Sequence, residues 1–297
     1  MARVKVPPLP KQRAIAHILG TFDDKIELNR SINQTLEAMA QAIFKSWFVD
    51  FDPVKAKIAA QAEGRDPLRA AMRAISGKTD AELEALPREH YDQLAATAAL
   101  FPNEMEESEL GEIPKGWSIQ PLGEFLELSY GKALPKEQRK EGAIPVYGSG
   151  GVGGFHESAL VVAPGIVVGR KGTVGSLFWV EEDFYAIDTV FYVKPLSKIP
   201  LYWIYQLLKT VDIASLGADS AVPGVNRNTI YGQMAVVPSS SVLETFEKTL
   251  SPVVSEIKTL LNQTSSLAAL RDALLPKLLS GELSVTDIAS PIDEAAS

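Results

Sequence analysis

The 297-residue chain has no cysteine, which excludes disulfide staples, a thiolate nucleophile and every cysteine-ligated zinc or iron–sulfur site. Histidine is nearly as scarce: His17, His90 and His156 lie far apart, with no metal-ligand spacing among them. Gly-x-Ser-x-Gly elbows, Walker motifs and the Asn/Asp-Pro-Pro-aromatic tetrapeptide of methyltransferases are also missing. The sequence therefore offers no catalytic residue, no metal site and no cofactor site, and predicts a protein that is not an enzyme. Long apolar runs are lacking too. The longest, residues 159–168, is broken by Pro164 and falls well short of the roughly 20 residues that span a bilayer. Residues 1–10 carry charge without the apolar core of a signal peptide. The expectation is a soluble, cytoplasmic protein with no membrane partner.

Positive charge is in short supply, with 29 Lys and Arg against 37 Asp and Glu, a net charge of -8. That balance argues against a protein that envelops nucleic acid, because wrapping phosphate takes a basic face. The acidity is uneven: residues 52–112 hold seven basic against thirteen acidic side chains, whereas residues 113–240 hold eleven of each. The middle of the chain is thus free to carry a local basic surface.

What is present begins with two long helical patterns. Between residues 11 and 49 apolar side chains recur at Ile15, Leu19, Phe22 and Ile26, then at Ile32, Leu36, Met39, Ile43 and Trp47, one face of a helix interrupted only by Gly20. Between residues 241 and 279 the series Phe246, Leu250, Val253, Ile257, Leu260, Thr264, Leu267, Arg271, Leu274 and Leu278 steps alternately by three and four, which defines a coiled-coil seam. Ser241 with Glu244 predicts a capping-box start, Gly281 a stop, and Pro252 a kink or break. Each helix would be roughly 55 to 60 Å long. The two patterns also superpose. Val236-Val237-Pro238 ends a strand-like segment before the second helix, and Val4-Lys5-Val6-Pro7 stands in the same place before the first. This predicts that residues 1–8 close a globular domain whose body lies outside the chain.

Between the helices, residues 52–112 predict short helices in an acidic connector, with prolines at 53, 67, 87 and 102. Residues 113–240 carry most of the glycines and the β-branched runs 144–147, 160–162, 166–168, 190–193 and 234–237, punctuated at strand spacing, with one helix expected over 200–210. The fold class is α+β, a β-rich globular domain carried on two long helices that form an antiparallel coiled coil. The domain limits are residues 1–51, 52–112, 113–240 and 241–297.

Three glycine-framed loops in the β-rich part have more than one reading. Gly148-Ser149-Gly150-Gly151-Val152-Gly153 matches GxGxxG formally, but no helix follows to receive a phosphate, which leaves a glycine hairpin or a loop pressed against a ligand. Gly169-Arg170-Lys171-Gly172-Thr173-Val174-Gly175 lacks the ending of a P-loop and is either a solvated turn or a clamp for phosphate or guanine edges. Residues 217–228 include Ser220, Asn226, Arg227 and Asn228, side chains that read bases or merely shape a turn. Trp47-Phe48-Val49-Asp50-Phe51 reads as core or interface.

At these residues a resemblance appears. Gln12-Arg13-Ala14-Ile15-Ala16, residues 23–29, Leu36-Glu37-Ala38-Met39-Ala40, residues 44–53, Ala62-Glu63-Gly64-Arg65, residues 107–110 and Gly111-Glu112-Ile113-Pro114-Lys115-Gly116-Trp117 resemble the central conserved region of type I restriction-modification specificity (S) subunits. Residues 144–151 and 168–175 resemble that family's target-recognition domain, and Leu274-Leu275-Pro276-Lys277-Leu278-Leu279-Ser280-Gly281-Glu282-Leu283 its distal conserved region. Intact members carry two recognition domains. This chain carries one, and so resembles a half-length form.

The resemblance implies a non-catalytic reader of double-stranded DNA. In that family each recognition domain reads half of a split site, and the helices form a coiled coil that fixes the separation. Modification subunits then methylate adenine from S-adenosylmethionine, and restriction subunits translocate and cleave. By position it makes Tyr147, Ser149, Arg170, Lys171, Thr173, Arg227 and Asn228 the DNA-contacting residues, with Lys132 on phosphate. The coiled-coil interface would be Ile15, Leu19, Phe22, Ile26, Leu36 and Ile43 against Phe246, Leu250, Val253, Ile257, Leu260, Leu267 and Leu274. With a single recognition domain, a homodimer is expected. The other reading, left open by the net-zero charge of residues 113–240, is a coiled-coil structural or adaptor protein with a degenerate β domain.

Overall fold

A computed structural model describes residues 7–217 and 224–284. In chain order the elements are α1 (Leu9–Phe48), α2 (Asp52–Ala62), α3 (Pro67–Ser76), α4 (Asp80–Glu84), α5 (Arg88–Ala99), β1 (Met105–Ser108), β2 (Gly111–Pro114), β3 (Ser118–Pro121), β4 (Leu126–Tyr130), β5 (Ile144–Gly148), β6 (Gly151–His156), β7 (Gly165–Gly169), β8 (Leu177–Val180), β9 (Tyr185–Ala186), β10 (Val190–Pro195), α6 (Leu201–Thr210), α7 (Arg227–Tyr231), β11 (Met234–Val237) and α8 (Ser240–Ser280). Val4 to Val6, on which the expected truncated domain rested, lie outside the described residues. No helix among the described residues is long and apolar enough to cross a membrane.

The chain forms two compact units, one of them made of the residues up to Ala40 and from Ser251 onward. In it α1 and α8 run antiparallel: Arg271 Nη1 meets Asp23 Oδ1 at 2.6 Å and Asn29 Nδ2 donates to Gln263 Oε1 at 3.4 Å. Ile15, Ile18 and Ile26 are buried on α1, and Ile257, Leu260 and Leu278 on α8. Val253, Thr264, Leu267, Arg271 and Leu274, on the same stripe of α8, are half-buried. On α1 the buried stripe is turned slightly. Leu19, Phe22 and Leu36 are half-buried, Met39 is 50% exposed, and Ile18, Asn29, Asn33 and Ala40 take the inward positions. The Asn29 and Asn33 side-chain oxygens and the Thr264 hydroxyl are buried without a partner. Polar groups in an apolar seam cost stability, and they are a known means of holding helices in one register.

The helix ends differ in part from expectation. Gly281, at φ +85°, stops α8, and both its own N–H and that of Leu283 donate to the Lys277 carbonyl at 3.1 Å. The start is not a Ser241–Glu244 capping box. α8 begins at Ser240, and it is the Ser239 carbonyl that accepts from the Val242 and Leu243 N–H groups. Pro252 and Pro276 both lie inside the helix without breaking it. Both are exposed.

The second unit, Gln41–Leu250, is built on rings. Phe44, Trp47 and Phe48 from the end of α1 meet Phe246 from the start of α8 at centroid distances of 6.0, 5.9 and 5.0 Å. Phe101, Trp117 and Trp203 of α6 complete the cluster. Leu250 is buried and Ile43 half-buried beside it. The aromatic run 47–51 is therefore core, with only Val49 exposed. Phe51 adopts φ +57° between α1 and α2, a left-handed conformation held by its ring packed on Trp117 at 5.8 Å.

Helices α2 to α5 follow from local signals: Pro53 in the first turn of α2, Asp66 capping α3, and a Thr79–Glu82 capping box on α4. They surround Ala71, Met72, Leu83 and Ala98. Lys57 is buried among them, its Nζ donating to the Phe101 carbonyl at 2.5 Å, and burial lowers its pKa.

The β-rich part contains a four-stranded antiparallel sheet in the order β4-β10-β7-β8, a three-stranded sheet β6-β5-β9, and the pairs β1-β2 and β11-β3. β7 is buried along its whole length, as expected of an interior strand. Residues 160–162, expected as a strand, form only an isolated bridge between Val161 and Phe184, because the segment faces a single short partner. Val167, Val180, Phe184, Ala186 and Val190 make a continuous core under both larger sheets. A domain packed in this way is not degenerate, which argues against the adaptor reading.

The seam generates a test. Leu260→Ala, at a buried position, should cost about 2 to 5 kcal/mol, and Leu267→Ala, half-buried, clearly less. Urea unfolding of both variants measures this, and two unchanged midpoints would show that the helix pair is not held by this seam.

Candidate nucleic-acid interface

Interior strands β7 and β10 deliver their loops to one end of the four-stranded sheet. β5 and β6 close there as a hairpin, with Gly148 paired to Gly151 across Ser149 and Gly150, so the GxGxxG match is a tight turn and not a nucleotide loop. Hydroxyl groups tie this hairpin to the loop after β7 and to Thr189, just before β10. Ser176 Oγ donates to the Ser149 carbonyl at 2.6 Å, the Thr173 N–H to Ser149 Oγ at 3.4 Å, and the Ser149 N–H to Thr189 Oγ1 at 3.4 Å. The loop itself is closed by the Gly175 N–H on the Gly169 carbonyl at 2.9 Å. Gly175 has φ +80°, and a Cβ there would stand 2.8 Å from the Ala214 nitrogen.

Cations ride on this frame. The N–H groups of Arg170 and Lys171 both donate to the Thr189 carbonyl, at 2.9 and 3.1 Å. Arg170 Nη1 donates to the Asp188 carbonyl at 3.0 Å, and Lys171 is exposed. The segment carrying Arg227 is clipped alongside by the Val225 N–H on the Arg170 carbonyl, at 3.0 Å, and by a bridge between Lys171 and Gly224. Lys132 is exposed, its N–H bonded to the Ala186 carbonyl at 2.9 Å. Beneath the arginines lies Tyr130, the last residue of β4, with the Arg170 Cζ 4.8 Å and the Arg227 Cζ 5.2 Å from its ring centroid.

The structure thus brings Lys132, Ser149, Arg170, Lys171 and Thr173, on loops, together with Arg227 and Asn228, at the start of α7. Tyr147 stands apart: its ring packs on Phe178 and Phe184 at 5.9 and 5.6 Å, and burial raises its pKa. Asn226 follows the plainer reading, its side chain accepting from the Asn228 N–H at 2.9 Å as the cap of α7. Ser220 lies outside the described residues. Sequence reasoning missed Tyr130, Ser176 and Thr189. The only hint was Tyr130-Gly131-Lys132, an aromatic beside a glycine and a cation at the end of an alternating segment. Among the described residues no group of three or more His, Cys, Asp or Glu side chains could hold a metal ion.

The geometry is that of a hydrogen-bonded β frame offering cations and hydroxyls to an anionic, hydrogen-bonding ligand. Residues 2–38 and 114–240 match the family model described as the type I restriction modification DNA specificity domain, and the chain belongs to that family. It is 33% identical to the specificity subunit of the type I restriction enzyme HindI of Haemophilus influenzae over 94% of this chain and 69% of that one. It is 24% identical to the MjaIX specificity subunit of Methanocaldococcus jannaschii, over 97% of this chain and 62% of that one. The crystal structure of a type I restriction-modification S subunit from M. genitalium has the same fold with a TM-score of 0.55 at 19% identity, over 91% of this chain and 61% of that one. The chain therefore spans between three fifths and seven tenths of the length of these relatives.

The loop frame is testable without any ligand. Gly175→Ala should destabilise the protein by about 1 to 3 kcal/mol, since it combines an unfavourable φ with a collision against backbone. Thermal denaturation measures the loss, and an unchanged midpoint would show that the loop is not held as described.

Proposed function

We propose that this chain is the sequence-specific DNA-recognition subunit of a type I restriction-modification complex. It reads double-stranded DNA with the loops around residues 148–150, 169–175 and 226–228. The observation that carries the reading is the loop cluster itself, in which the segment of Arg170 and Lys171 and the segment that leads to Arg227 are locked to one frame by backbone hydrogen bonds. Lys132, Ser149, Thr173 and Asn228 complete the surface. Phosphates need exposed cations and flexible backbone, and base edges need planar donors held in place. Both kinds of group are present.

In this reading the domain of residues 113–240 recognises DNA, and residues 1–51 and 241–297 supply the spacer helices. The chain is cytoplasmic, needs no cofactor of its own and performs no chemistry. Partner modification subunits methylate adenine, and partner restriction subunits cleave. The family membership and the packed β domain support it. One β domain reads one half-site. We further infer that the chain is a half-length form that works as a homodimer, in which an isologous pairing repeats the reader about a two-fold axis.

Two outcomes are expected. Lys171→Ala should weaken binding of the complex to all duplexes alike and lower the salt slope by about one, as loss of a phosphate contact does. Fluorescence titration at several salt concentrations measures this, and parental binding throughout would make Lys171 a bystander. Selection of methylated sites from a random DNA pool should return an interrupted palindrome, the mirror of a two-fold protein. An asymmetric two-part site, or a monomer by light scattering of the complex, would instead mean that a different half partners this chain.

A further inference from the structure

Tyr130 is half-exposed, at 46%, yet it is among the most constrained side chains of the loop cluster. It pairs across the sheet with the fully buried Phe191, ring to ring at 5.0 Å. The next residue, Gly131, has no room for a Cβ against the carbonyls of Ala186 and Ile187, and its N–H donates to the Val190 carbonyl at 3.2 Å. The phenol is thus a fixed platform. Two guanidiniums 57 positions apart in sequence share it, so Arg170 and Arg227 sit within about 10 Å of each other despite their like charge. Neither has a carboxylate partner among the described ion pairs. The nearby Glu127 is engaged by the Ser129 hydroxyl and by Lys194, and Arg227 is only a weaker influence on its lowered pKa.

Arg170 is held on three sides: by Tyr130, by Phe191 at 5.7 Å and by the Asp188 carbonyl. A phosphate contact needs only a charge within reach, whereas a bidentate contact to the O6 and N7 of guanine needs a planar fork in a set orientation. We propose that Tyr130 is a specificity-determining positioning residue, which presets Arg170 to read a guanine in the target half-site. The proposal rests on the DNA-recognition reading above and goes beyond it by naming the base, the reading side chain and the ring that orients it.

The test uses the chain assembled with modification subunits and its selected duplex, with 7-deazaguanine replacing each guanine in turn to remove the N7 acceptor. For the parent, replacement of one guanine should weaken binding about ten- to a hundredfold. Tyr130→Phe keeps the ring and should keep that sensitivity. Tyr130→Leu should bind random duplex with the parental salt slope while the 7-deazaguanine effect shrinks to about twofold or less. Arg170→Lys, which keeps the charge and loses the fork, should do the same and does not depend on how Tyr130→Leu folds. Full sensitivity retained in either variant overturns the proposal, as does a parent that discriminates its site with no sensitivity at any guanine. A parent that binds no duplex selectively overturns the DNA-recognition reading as well, which separates the two failures.

Discussion

The second unit depends on one aromatic junction. Phe44, Trp47 and Phe48 close α1, Phe246 opens α8, and Trp203 projects from α6 into the same cluster, 5.9 Å from both Phe44 and Phe48. Large rings bury much apolar area at little conformational cost, and edge-on pairs add directional preference. The junction therefore packs the end of α1, the start of α8 and α6 together within this unit. It also extends toward the loops. Trp203 meets Phe125 at 6.1 Å, Phe125 immediately precedes β4, and β4 ends in Tyr130. Packed rings and then one strand thus lead from this junction to the ring beneath Arg170 and Arg227. Displacing that junction would displace the reader.

An acidic chain that recognises polyanionic DNA has to keep its cations apart from its carboxylates, and the two halves of the second unit divide that task. In the helices after α1, charge is consumed internally: Arg69 bonds Asp80 and Glu84, Arg73 bonds Asp80, and Arg88 bonds Asp92. The Arg69 hydrogen bond holds the Asp80 carboxyl below its ordinary pKa, and the same pairing raises the pKa of Arg69. These are exposed pairs that contribute little to stability. In the loop cluster the arrangement reverses, because Arg170, Lys171 and Arg227 are held by backbone carbonyls, backbone pairing and an aromatic ring in place of carboxylates. Net charge predicts poor DNA affinity only if charge is spread evenly, and here it is sorted.

The same physics decides what could be read from the amino-acid order. α8 was legible in its middle because its inward positions are apolar and three or four apart. α1 was read with a slight rotation, because Asn29, Asn33 and Ala40 occupy inward positions that hydrophobicity does not mark, while Met39 sits outward. The one capping box expected, Ser241 with Glu244, gives way to the bare carbonyl of Ser239, whereas the Thr79–Glu82 box forms where the sequence predicts only short helices. Glycine punctuation located the hairpin and the loop after β7. The meeting of residues 130, 170 and 227 follows only from strand order, since β4 and β7 become near neighbours through β10, which no local pattern announces. Tyr147 shows the opposite limit: its place beside a glycine turn resembled that of a contact residue, and only packing on Phe178 and Phe184 turns its ring inward.

The groups that hold the loops differ from the groups the loops display. Glycines at 169 and 175, the hydroxyls of Ser176 and Thr189 and the paired backbone amides make the frame, and changing them disturbs packing or hydrogen bonds. Lys132, Lys171, Thr173 and Asn228 are exposed, and exposed substitutions away from such features usually shift stability by less than about 0.5 kcal/mol. Their identity is then nearly free of folding constraint, so these displayed side chains can change without cost to the fold. Arg170 is the intermediate case. Its backbone belongs to the frame through Thr189 and Val225, while its guanidinium faces the ligand side from the Tyr130 ring. A reader built in this way keeps the orientation of its fork when the displayed residues around it vary, which separates how the base is presented from which neighbouring bases are accepted.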